Sequence, residues 1–343
     1  RKVLVDELLQ VEEFNEYWTL QLAKLLRIRP QQDDTEGAMT YHKWVAEQIE
    51  NDVSYKQIAR ALIMATGDTH KFGPANFYRT DTGQREQAEF ASELFMGSRL
   101  RCANCHNHPL DRWTQDDYHG LAAIFAKVDR GRVVGEKLNG QTIHPRTLEP
   151  AIQRIPGKQF LAENATDGRR QLADWLTDSS NPYFAKAIVN RLWKRMMGRG
   201  LVEPVDDFRD TNPATHPVLL DKLADDFQAN GYRLRHTLGL IAGSTTYARS
   251  ANATAENKDD DRFYSHAARR PLEAEVLSDA ISDVLGIAAK YGSEPDGTRA
   301  VMLVNPKTPS PALDILGRCG REESCENTPS AIGGLPRKLQ LFN

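Results

Sequence analysis

The chain has 343 residues with 47 acidic and 44 basic side chains, a formal charge of −3 and a pI near 6.4. That balance, with no basic stripe interleaved with aromatics, argues against a nucleic-acid or membrane-surface partner. No apolar run is long enough to span a bilayer, four cysteines are too few for a disulfide scaffold, and the length suits two domains.

The chain opens at Arg1 in a helical pattern with neither an initiator Met nor a signal peptide, as expected of a mature fragment of something longer. Residues 3–28 carry two amphipathic stripes, one on Leu4, Leu8 and Val11 and one on Trp18, Leu22, Leu25 and Leu26. Residues 29–39 read as a loop, and Trp44, Val45 and Ile49 mark a short helix. Ser54 and Gln57 form a capping-box pattern for a further helix carrying Ile58, Leu62 and Ile63. After an irregular stretch at 67–83, a helix over 84–96 with Phe90, Leu94 and Phe95 stops at Gly97. Thr114 and Asp117 cap the next, whose apolar face is Leu121, Ala122, Phe125 and Val128.

From 129 to 168 the periodicity breaks. Val133-Val134, Asn139-Gly140 and Thr142-Ile143 predict a small hairpin with a primed turn, followed by a stretch punctuated by Pro145, Pro150 and Pro156 that folds back over the first domain. Helical patterns then resume, opened by Pro182, Pro217 and Pro271, with a further stripe at Leu234, Leu238 and Ile241. The expected fold is mainly α: a helical domain over 1–130, a hairpin and Pro-rich junction over 131–168, and a second helical domain over 169–343.

One stretch carries chemistry. Cys102, Cys105 and His106 form the C-x-x-C-H arrangement that attaches a c-type haem. Two thiols three positions apart can reach the two vinyl groups of a porphyrin, and the following imidazole can then ligate the iron from the proximal side. The expected cofactor is one covalent haem c between the helices of residues 84–96 and 115–128. A zinc site and a redox dithiol are the alternatives. The first has too few ligands nearby, because Cys319 and Cys325 lie far along the chain, and the second lacks the preceding strand of a βαβ unit.

The stretches CANCHNHPLDRWTQDDYHGLAAIFAKV and NPYFAKAIVNRLWKRMMGRGLVEPVDDFRDTNPATHPVLLDKLADDF resemble a tandem pair of planctomycete-type domains of unknown function. His144-Pro145-Arg146-Thr147 and the run from Arg270 to Leu277 look like signatures of the same family. The resemblance covers nearly the whole chain and implies an exported, periplasmic or extracellular protein. It also implies haem c by association, a redox partner such as a further cytochrome c domain, and a link to redox chemistry or polysaccharide catabolism. Leu110 stands where the family has Phe, and the family's C-terminal Cys-Glu-Cys-Glu run survives only as Cys325-Glu326, with Cys319 at a new position. A Cys319–Cys325 disulfide is compatible with an oxidising compartment.

Around the motif, Arg99, Arg101 and Arg112 are candidates to hold a haem propionate, since Arg pairs with carboxylates, although a solvated charge explains each equally well. His108 lies too close to His106 to reach the opposite face of a porphyrin and suits fixing the loop. His144 is the candidate distal ligand or acid–base group, because its segment is distant in sequence and free to approach; a loop-anchoring imidazole is the alternative. His42, His216, His236 and His266 read as structural. Asp206-Asp207 suggest a carboxylate-dependent hydrolase, whereas Asp116-Asp117 read as a helix N-terminus. The expected function is electron transfer or haem-dependent oxidoreduction. A zinc- or disulfide-stabilised polysaccharide-binding module and a hydrolase are the alternatives.

Overall fold

The computed structural model describes residues 1–162, 167–323 and 325–326. The first half contains α1 (Lys2–Leu8), α2 (Glu12–Leu25), α3 (Thr35–Glu50), α4 (Tyr55–Ile63), α5 (Gln84–Met96) and α6 (Gln115–Ala126), with 3-10 turns at Gly73–Arg79 and Arg101–Asn104. The second contains α7 (Arg169–Leu176), α8 (Phe184–Met197), α9 (Pro217–Ala229), α10 (Leu234–Gly243), α11 (Ala274–Leu285) and α12 (Pro311–Leu316). A small antiparallel sheet of β1 (Gly67–Asp68), β2 (Val128–Arg130) and β3 (Val133–Glu136), in the order β1-β3-β2, completes a mainly helical fold. Among the described residues no helix is long and apolar enough to cross a membrane.

One buried apolar cluster draws on both halves, from Trp18 and Leu22 on α2 through Phe90 and Leu94 on α5 to Phe227 and Ile241. A smaller one joins Ala274, Tyr291, Ala300, Leu303, Leu313 and Leu316. α5 is the shared wall, packing on α6 on one side and α8 on the other. It stops where Gly97 adopts φ +62°, a conformation glycine takes without steric cost, and Phe208 closes against that glycine. Arg191 of α8, deeply buried, caps the end of α5 by donating to the carbonyls of Glu93 at 2.6 Å and Leu94 at 3.1 Å. Its Nε pairs with Glu326 at 2.9 Å.

The predicted caps survive unevenly. Thr114 and Asp117 form the expected capping box at α6. Ser54 precedes α4 but its side chain caps nothing, and the first amide of that helix, Tyr55 N, donates to the Tyr232 carbonyl at 2.9 Å. α3 is longer than the short helix expected: the Asp34 carboxylate accepts from Gly37 N at 3.0 Å and starts the helix inside the stretch read as loop. At Pro182 the helix begins two residues late, since Asn181 Oδ1 accepts from both Tyr183 N and Phe184 N.

The hairpin also differs from expectation. Val128 pairs with Glu136 and Arg130 with Val134, so its turn is at Gly131-Arg132 rather than at Asn139-Gly140. Gly140 is used elsewhere: it lies so close to the Ala126 carbonyl at the end of α6 that a Cβ there would stand 1.8 Å away. The Pro-punctuated segment does fold back over the first half. Arg154 N donates to the Gly120 carbonyl at 3.1 Å, and Gly157 N to Asp117 Oδ1 at 2.8 Å.

Gly120 is the point of closest approach, since an added Cβ would lie 2.3 Å from Arg154 Cβ and 3.0 Å from its backbone nitrogen. Gly120→Ala is therefore expected to destabilise the fold by about 1–3 kcal/mol, as overpacking does. It should also expose the 150–158 strap, detectable as faster limited proteolysis there; unchanged stability and cleavage would contradict this packing.

Candidate functional site

The site is built on the N-terminal turn of α6. Aligned backbone amides leave donors unpaired at a helix start, and here side chains and loop atoms fill them. Thr114 and Asp117 cap each other's backbone amides. Gln115 N donates to Asn107 Oδ1 at 3.0 Å, and Gln115 Nε2 to the Cys105 carbonyl at 2.8 Å. One turn on, His119 Nε2 meets the Asn104 carbonyl at 3.0 Å. Three atoms of the C-x-x-C-H loop are thus fastened to one helical turn. His108 fixes the loop from within: its amide donates to the Trp113 carbonyl at 2.8 Å and its Nδ1 accepts from Leu110 N at 3.2 Å.

The fastened loop turns its chemistry outward. Cys102 and Cys105 are free and exposed, and so is His106. The His106 Nδ1 lies 2.8 Å from the Asn107 carbonyl, which fixes the ring and leaves Nε2 open. Metal-bound imidazoles commonly donate their second nitrogen to a carbonyl in this way. The donor set therefore fits covalent attachment of a haem with His106 as proximal ligand. α5 and α6 pack directly against each other, with Tyr118 Oη donating to Glu89 at 2.7 Å and Leu94, Leu121 and Phe125 all in the core. A cofactor on this loop would lie at the surface, near the half-exposed Leu110.

The three flanking arginines are separated. Arg99 pairs with Asp206 at 2.6 Å, an interaction that raises its pKa. Arg112 stacks over Trp113 and Tyr183, 5.0 and 5.2 Å from their ring centroids. Arg101 is exposed and only loosely paired, 3.9 Å from Glu89.

His144 lies behind the loop. It is buried, its ring packs on His119 with centroids 4.9 Å apart, and its Nδ1 accepts from Arg146 N at 3.2 Å. Its Nε2 lies 3.1 Å from Asp116 Oδ1, and Arg146 and Arg154 approach the same carboxylate. Despite the short distance, Nε2 makes no hydrogen bond to that carboxylate. Burial lowers the pKa of His119, so the inner ring of the pair is neutral near pH 7.

His42 is buried, His236 pairs with Asp226 at 2.8 Å, His216 lies against Phe263 and Tyr264, and His266 Nδ1 contacts the Ala267 carbonyl. Asp206 is held by Arg99 and Asp207 by Arg209 at 3.2 Å. Cys319 and Cys325 form a disulfide. Among the described residues no three His, Cys, Asp or Glu side chains gather as a metal-holding group.

Residues 1–130 match the family model described as PSCyt2, a protein of unknown function (DUF1549), and residues 168–324 match PSD1, a protein of unknown function (DUF1553). The chain is a tandem of these two planctomycete-type domains. No curated protein and no solved structure matches it. His144 lies between the two matched regions and packs on His119 of the first of them. Sequence reasoning missed His119, Gln115 and Asn107. They act on backbone atoms of the loop, and such contacts leave no spacing signature.

Two measurements check this arrangement. His119→Phe should leave the Asn104 carbonyl unpaired at a cost of about 1–2 kcal/mol and speed amide hydrogen exchange across 101–109; unchanged exchange would remove His119 from the support of the loop. His42 is held at a pKa of about 4 by burial and then by Arg321, so the folded state keeps it neutral. Its stabilising effect is complete above pH 6.5 and is lost as the pH falls toward 4. Between pH 7 and 4, wild type should therefore lose about 3 kcal/mol more than His42→Leu in urea unfolding.

Proposed function

We propose that this chain is an exported electron-transfer protein carrying one covalent haem c on the 101–109 loop. The observation that carries the proposal is the pairing of two free, exposed thiols with an adjacent imidazole whose Nδ1 is anchored and whose Nε2 is open. Cys102 and Cys105 would form the two thioethers and His106 would hold the iron. A bound haem would supply a one-electron couple. The short name of the family model over the first half, PSCyt2, also points toward cytochromes.

Electron transfer is preferred to haem catalysis because the loop faces outward and α5 and α6 form no chamber beside it. An exposed edge suits contact with a redox partner such as another cytochrome c domain. Arg101 and Arg112, both exposed, are the flanking arginines best able to reach a propionate. Export is supported by the Cys319–Cys325 disulfide and by the need for haem attachment outside the cytoplasm. A link to polysaccharide catabolism rests on the family resemblance alone.

Expressed with an export signal and a haem-attachment system, the wild type should stain for haem on a denaturing gel, and Cys102→Ala with Cys105→Ala should not. A wild-type chain that is folded by circular dichroism and never stains would overturn the proposal. The same material tests His144 as sixth ligand. A change from low to high spin in ferric His144→Ala would assign the ligand, and an unchanged spectrum would leave the ring to Asp116.

A further inference from the structure

α11 is packed the opposite way round from an ordinary surface helix. Its inward side is polar. Glu275 pairs with Lys24 at 2.9 Å, Ser278 Oγ meets Tyr291 Oη at 2.9 Å, and Asp279 accepts from Ala300 N and Val301 N at 2.7 and 3.1 Å. All three side chains are buried. The apolar residues fall on the other side, where Leu277, Ile281 and Val284 recur at intervals of four and three, the spacing of one helix face. Val284 is 85% exposed, and Leu285 and Ile287 beyond it are 63% and 69% exposed. Of these residues Leu277 alone packs on the small cluster of Ala274, Tyr291 and Leu313.

A surface helix normally turns its polar side to water. Here the polar side is engaged with buried partners and a row of aliphatic side chains faces out, which marks a surface that another segment covers. The described chain ends close by. Lys194 on α8 donates to the Glu326 carbonyl at 2.9 Å, and its neighbour Arg195 pairs with Glu273 at the N-cap position of α11. One turn of α8 therefore holds both the last described residue and the start of α11.

Residues 327–343 follow Glu326 and lie outside the described residues. Ile332, Leu335, Leu339 and Phe342 recur in that sequence at intervals of three and four, and Arg337 and Lys338 are its only charged residues. Seventeen extended residues reach up to about 56 Å, whereas the 12 residues of α11 span about 18 Å. We propose that the outward apolar face of α11 is the docking surface for residues 331–343 of the same chain. A tether this short holds the segment at an effective concentration of about millimolar, an advantage that a second copy of the chain lacks.

Hydrogen exchange of the full chain, read by mass spectrometry, tests this. The amides of residues 335–343 should exchange roughly tenfold or more below the rate of an unstructured peptide. Val284→Gln, at a position already open to solvent, should speed them roughly tenfold, as the loss of one apolar contact does. Leu339→Gln should in turn speed exchange across 280–287. Both variants should keep the circular dichroism of the wild type. Unprotected amides at 335–343 in the wild type, or protection there that Val284→Gln leaves unchanged, would overturn the proposal. Protection of 280–287 that grows with protein concentration and ignores Leu339→Gln would also overturn it, and would assign the face to a second copy.

Discussion

The first turn of α6 is the constraint on which the rest of the site depends. Four consecutive residues, Thr114 to Asp117, and His119 two positions beyond, hold two otherwise irregular segments to one rigid element. On one side Gln115 and His119 fix the carbonyls and the Asn107 side chain of the C-x-x-C-H loop. On the other, Asp116 and Asp117 fix the strap through His144, Arg154 and the Gly157 amide. The acids sit at the helix end where the dipole favours them. They serve structure and electrostatics together.

A second constraint joins the halves. Arg191 is buried, and its guanidinium is satisfied by protein groups. It takes the terminal carbonyls of α5 and the carboxylate of Glu326, and so ties the wall beneath the loop to the end of the described chain. Removing one member of such a buried arrangement leaves the other uncompensated, which commonly costs 3–5 kcal/mol. The two matched family regions are therefore mechanically coupled through α5 and α8.

Long periodic helices were legible from sequence, and α5, α6, α8 and α9 fall close to where their stripes and caps put them. Some helix starts moved through local caps at Asp34 and Asn181, while the hairpin was decided by a contact distant in sequence. Asn139-Gly140 was drawn against Ala126 and gave up the hairpin turn to Gly131-Arg132. The site divides in the same way. Cys102, Cys105 and His106 are contiguous, so their spacing carries information; the strap that brings His144 onto His119 is set by a close approach at Gly120 that no periodicity announces. Packing between α5 and α6 was also invisible, because Leu94, Leu121 and Phe125 read the same whether they face a cofactor or one another.

That closed packing bears on how the molecule is made. The core around α5 and α6 is complete from polypeptide alone, and the attachment loop already has its carbonyls and its imidazole in place. A haem attached at Cys102 and Cys105, as proposed, would sit on the outer surface of this packed core. An attachment enzyme would then act on a loop whose shape is set by its hydrogen bonds to α6.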